Sequence, residues 1–99
     1  MAAPLEKVVK EQVKKILNKY GAYSYMPVSN GMGAPALDFI ACHRGRYLSI
    51  ETKRLGLQAT PRQTVTMGKI RAAGGKAMVF DGSDEHVMEL ISWLTVADE

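Results

Sequence analysis

Apolar residues recur at helical spacing at the start of the chain: Leu5, Val8, Val9, Val13, Ile16, Leu17 and Tyr20. At about 100° per residue they share one arc, which predicts a helix from Pro4 to Tyr20, ended by Gly21. Glu6 falls at the edge of that arc and Glu11 on its far side. The period then changes. Ala22 to Val28, with Tyr23, Tyr25 and Val28, predicts a strand, and Pro27 places it at a sheet edge because proline brings no N–H to a ladder. Leu37 to Cys42 and Tyr47 to Lys53 predict two further strands joined by a tight turn at Arg44-Gly45. Thr60-Pro61-Arg62-Gln63 announces a second helix, with Thr at the N-cap, Pro at the first helical position and Gln at the third. That helix runs to Ala73 and stops at Gly74-Gly75. Lys76 to Phe80 predicts a fourth strand and Asp81-Gly82 a turn. Ser83 caps a last helix that carries Asp84 and Glu85 in its first turn and turns Val87, Leu90, Ile91 and Leu94 inward. Ser29 to Pro35 and Arg54 to Ala59 are loops. The order αβββαβα predicts one α/β domain, a mixed central sheet flanked by helices, with a crossover from the third strand through a helix to the fourth.

The pairing of the central hairpin brings chemistry into view. With Arg44 and Gly45 as the two turn residues, His43 pairs with Arg46, and counting back along both strands sets Asp38 opposite Glu51. Opposed residues have Cβ atoms roughly 4.5–5.5 Å apart, and like charges so placed repel. A divalent cation between the two carboxylates offsets that repulsion. Lys53, two residues beyond Glu51, shares its face. Hydrolysis of a phosphodiester needs a positioned water and neutralisation of charge on the phosphoryl and leaving oxygens. Hard oxygen ligands suit Mg²⁺ or Mn²⁺. Asp38 and Glu51 are therefore the candidate ligands, the carbonyl of Thr52 a further one, and Lys53 the group that orients or deprotonates the attacking water.

Charge supports a polyanionic partner. The net +3 divides into +9 over residues 1–76 and −6 over residues 77–99, which hold no Lys or Arg. Asp38 and Glu51 are two of only four acids in the basic part. Lys7, Lys10 and Lys14 on one helix face, with Arg54 and Arg62, are the candidate nucleic-acid contacts. The bland alternative is a solvated surface, with Lys7–Glu11 and Glu11–Lys15 as helix pairs. Cys42 is the only cysteine, which excludes an internal disulfide and fits a reducing, cytoplasmic setting. No apolar run approaches the ~20 residues of a membrane span, and the first residues do not resemble a signal peptide.

Glu6 in the first helix, Gly33-Ala34-Pro35-Ala36-Leu37-Asp38, Glu51-Thr52-Lys53 and Gln63 together resemble the PD-(D/E)XK nuclease superfamily, and within it the VRR-NUC domains. The resemblance covers nearly the whole chain. It departs in one place: the family sets Pro directly before Asp, and here Ala36-Leu37 intervenes. It implies a restriction-endonuclease-like core, metal-dependent cleavage of DNA, and Glu6, Asp38, Glu51, Lys53 and Gln63 as site residues. Stand-alone members of this size imply a homodimer acting on branched DNA, a Holliday junction or flap, in a bacterial or phage-infected cell. Two active sites related by a twofold axis also answer the need to cut two strands.

Bland readings stand beside each of these. Glu51 and Lys53 also fit a same-face ion pair, Gln63 a capping box, and Glu6 a favourable first-turn acid. His43 reads as a turn residue, His86 as structural, Cys42 as buried filler and Trp93 as a dimer-interface candidate. The rival functions are a non-catalytic basic nucleic-acid-binding module and a nuclease acting on linear duplex DNA.

Overall fold

The structure is a computed structural model that describes residues 5–28 and 35–96. Its elements are α1 (Glu6–Lys19), β1 (Tyr23–Tyr25), β2 (Phe39–His43), β3 (Arg46–Thr52), α2 (Pro61–Ala72), β4 (Lys76–Phe80) and α3 (Asp84–Thr95). The order is the αβββαβα order expected from the sequence. The four strands form one mixed sheet in the order β1-β2-β3-β4, antiparallel except for the parallel β3–β4 pair that α2 bridges. Pro4 and the glycine loop up to Ala34 lie outside the described residues.

The hairpin between β2 and β3 fixes the register. Arg44 and Gly45 both have positive φ, 54° and 78°. That pair of conformations belongs to the two-residue turn whose twist matches antiparallel strands. His43 accordingly faces Arg46, and the ladder runs back to Phe39 against Ile50.

Alternation along the strands sorts side chains into two layers. On one face Phe39, Ala41, Leu48, Ile50, Met78 and Phe80 pack against Val9, Val13 and Leu17 of α1 and Leu90 and Leu94 of α3. On the other, Leu37 and Ala77 meet Met67 of α2, with Ile70 and Val79 at the margin. The buried line of α1 is narrower than its apolar arc. Leu5 and Val8 are exposed, while Ile16 and Tyr20 only flank the core.

Three expectations are corrected. The first strand is shorter than Ala22–Val28, because Pro27 and the residues around it leave the ladder after Tyr25. His43 is buried, not a turn residue: its Nε2 lies 2.9 Å from the carbonyl of Leu94 and ties the end of α3 to the sheet. Cys42 is exposed, because it points to the face opposite the main core. Trp93 is engaged within the chain, where the Arg46 guanidinium lies 4.3 Å from its ring centroid and donates to its carbonyl at 2.9 Å.

Candidate functional site

Asp38 stops just short of β2, and Glu51 is the sixth residue of β3. One step beyond the Phe39–Ile50 pair, the register opposes them, as the sequence predicts. Glu51 turns to the face that α2 covers, where Gln63 meets it. What holds Asp38 is local: its Oδ2 accepts from the Thr52 N–H at 3.0 Å and from the Thr52 hydroxyl at 2.6 Å. Thr52 is fully buried, so these two donors are shielded from water and fix the carboxylate. The sequence points to the Thr52 carbonyl; the structure adds its N–H and hydroxyl as donors to Asp38. A hydroxyl next to a candidate ligand was the signal available.

Gln63 closes the expected capping box and also touches Glu51. Its Oε1 accepts from the Thr60 N–H at 2.9 Å, and its own N–H donates to the Thr60 hydroxyl at 3.2 Å, closing a capping box. The amide nitrogen of the same side chain donates to Glu51 Oε2 at 2.9 Å. The cap thus holds the amide in the orientation that meets Glu51.

Glu6 arrives from a third direction. As the first residue of α1 it sits where an acid favours the helix dipole. Its carboxylate is 3.8 Å from Lys10. One oxygen each from Glu6, Asp38 and Glu51 lie within 4.8 Å of one another.

Glu51 is buried beside these acids, and its carboxyl is pushed up to about 7. Burial is the main cause. The charge of Asp38 and a hydrogen bond with it, which requires a shared proton, add to the rise; Lys53 opposes it and Glu6 adds further. An anionic cluster held against its own repulsion suits a cation. Oxygens around Mg²⁺ lie about 2.1 Å from the ion, hence at most about 4.2 Å apart. The 4.8 Å cluster needs only a small closure to fit. The donor set, carboxylate oxygens without sulfur or imidazole, matches Mg²⁺ or Mn²⁺ rather than zinc or copper.

Lys7, Lys14, Arg54 and Arg62 are exposed and Lys10 half-buried. Glu11 pairs with Lys14 at 3.4 Å, not with the lysines expected from the sequence. The loop after Lys53 is pinned by Asp81, whose carboxylate accepts from Gly56 N–H at 3.1 Å and from Ser83 N–H at 2.9 Å. His86 Nδ1 lies 2.8 Å from the same carboxylate. Burial alone raises the Asp81 carboxyl, but the Ser83 and Gly56 hydrogen bonds and His86 outweigh it and hold it at about 2.

Among the described residues no helix is long and apolar enough to cross a membrane. Comparisons with family models, curated proteins and solved structures give no match to this chain.

Proposed function

We propose that this protein is a divalent-metal-dependent endonuclease that hydrolyses phosphodiester bonds in branched DNA, a four-way junction or flap, as a homodimer. One observation carries the reading. Three carboxylates from three segments meet within 4.8 Å, on a part of the chain that is otherwise basic. Glu6, Asp38 and Glu51 would hold Mg²⁺ or Mn²⁺, with the Thr52 carbonyl as a further oxygen. Bound there, the ion neutralises phosphoryl charge and lowers the pKa of water. Thr52 and Gln63 fix the two central carboxylates and so limit the reorganisation that binding requires. Lys53, just past the end of β3, is near enough to Glu51 for its charge to oppose the rise in that carboxyl's pKa. Its ammonium orients the attacking water or steadies the oxyanion as charge builds. Lys7, Lys10, Lys14, Arg54 and Arg62 supply backbone phosphate contacts.

A binding module without catalysis gains nothing from a cluster that pushes its own Glu51 up to about 7. A nicking assay with Mg²⁺ or Mn²⁺ separates the two. Wild type is expected to cut and Lys53→Ala to lose at least about a hundredfold in rate, the scale of an oriented acid–base group. Intact DNA with both proteins, despite tight binding, assigns the fold to binding alone. Parallel assays on four-way, flap and linear duplex DNA decide the substrate. Equal cutting of linear duplex removes the preference for branches.

A further inference from the structure

α2 covers only part of its side of the sheet. On the uncovered part, register places Tyr23, Cys42 and Tyr47 in one row across three strands, and Tyr25 and Ile40 in the next, beside buried Ser49. Tyr23, Tyr25 and Tyr47 are 71%, 49% and 42% exposed, unusual for three aromatics on one small face. The Tyr23 and Tyr25 rings are 6.3 Å apart. Between Tyr47 and α2 runs a groove of about 470 Å³ lined by Pro35, Tyr47, Thr66, Lys69, Ile70 and Ala73. Gly75 makes room for the Tyr47 ring, since a Cβ there would lie 2.8 Å from it.

We propose that this tyrosine face binds an unpaired nucleic-acid strand and feeds it to the acidic cluster, which makes DNA with a single-stranded arm the preferred substrate. Three features favour that occupant. Aromatic rings on an open sheet stack bases without regard to sequence. The groove is mostly apolar with one cation at its wall, Lys69, and Arg62, two helical turns earlier, lies on the same side of α2. The face lies on the same side of the sheet as Glu51, because Tyr47, Ser49 and Glu51 alternate along β3, which sets Tyr47 about 13 Å from Glu51 with Ser49 buried between them. A second copy of the chain fits less well. A twofold contact through this patch would bring the Lys69 and Arg62 cations of both copies into one interface with no acid among the patch's described residues to offset them. The inference rests on the nuclease reading for the strand's destination but not for its binding.

Binding of fluorescein-labelled oligothymidylate and of a blunt duplex, followed by anisotropy in metal-free buffer, tests it apart from cleavage. The wild type is expected to bind the single strand, and Tyr47→Leu and the double variant Tyr23→Ala/Tyr25→Ala to weaken that binding roughly tenfold or more. Tyr47→Phe, which keeps the ring, should retain it, and duplex binding should change less than about twofold. Thermal melts confirm that each variant folds. Should Tyr47→Leu fail to fold, the double variant on the exposed edge strand decides alone. Unchanged single-strand affinity in the folded variants overturns the proposal, as does a dimer that these substitutions split with no effect on binding. Loss of binding in a protein that cuts no DNA keeps the platform and discards only the nuclease.

Discussion

Glu51 is where the cost of the site is concentrated. Its carboxyl titrates at about 7 in the fold and near 4.5 as the reference value. Between those values the native state keeps a proton that the unfolded chain has released, so stability falls as pH rises through that window. Metal-free protein should therefore resist urea better at pH 5 than at pH 8, by on the order of 1–3 kcal/mol, and Glu51→Gln should flatten that dependence. Added Mn²⁺ should restore the stability lost at pH 8 in the wild type and not in the variant. Asp38→Asn keeps an oxygen for the Thr52 donors and removes a charge from the cluster. It should hold or raise metal-free stability while abolishing cleavage; wild-type cutting by this variant would remove Asp38 from the mechanism.

The first turn of α2 joins folding to chemistry. Thr60→Ala removes the cap oxygen and should cost about 1 kcal/mol in a denaturant titration. Gln63→Glu is the sharper test, because glutamate serves a capping box as well as glutamine does. It would keep the carbonyl-type acceptor for the Thr60 N–H and replace the donor to Glu51 by a like charge. Helix stability should survive at low pH while cleavage and metal affinity, read by calorimetry, fall together. The hairpin sets the site in a different way. Gly45 has φ of 78°, a region costing an L side chain about 1–2 kcal/mol. Gly45→Ala should lower the unfolding free energy by that amount and leave the metal-free folded state otherwise intact. It acts on the turn that brings Asp38 opposite Glu51, so metal affinity would also report any slip of register.

Across the molecule, charge is divided rather than mixed, with +9 over residues 1–76 and −6 over residues 77–99. Two helices, α1 and α2, start at the acidic centre through Glu6 and Gln63, and the positive ends of their dipoles therefore lie toward it. A phosphate brought to the cluster meets these ends as well as Lys53. Replacing Lys7, Lys10 and Lys14 together by Gln should weaken DNA binding evenly across sequences. It should also lower the slope of log affinity against log salt by up to about three. Lys10 contributes least to that change if its contact with Glu6 persists in the complex. Light scattering at assay concentrations tests the dimer, and a monomer that still cuts both strands of a junction would retire it.

Much of this was written in local pattern. The caps at Thr60 and Ser83, the glycine stops and the Arg44-Gly45 turn are decided by neighbouring residues, and with the turn placed, period-two counting sets Asp38 against Glu51 without any long-range contact. Other outcomes depend on how the layers close. Whether His43 is buried, Cys42 exposed or Trp93 engaged follows from which sheet face α1 and α3 cover, and no spacing along a strand says which face that will be. The same holds for the site's supports. Gln63 reaching Glu51 and Glu6 joining from α1 arise because elements distant in sequence end at one edge of the sheet, and the half-bare tyrosine face is what α2 leaves uncovered; both are properties of packing alone.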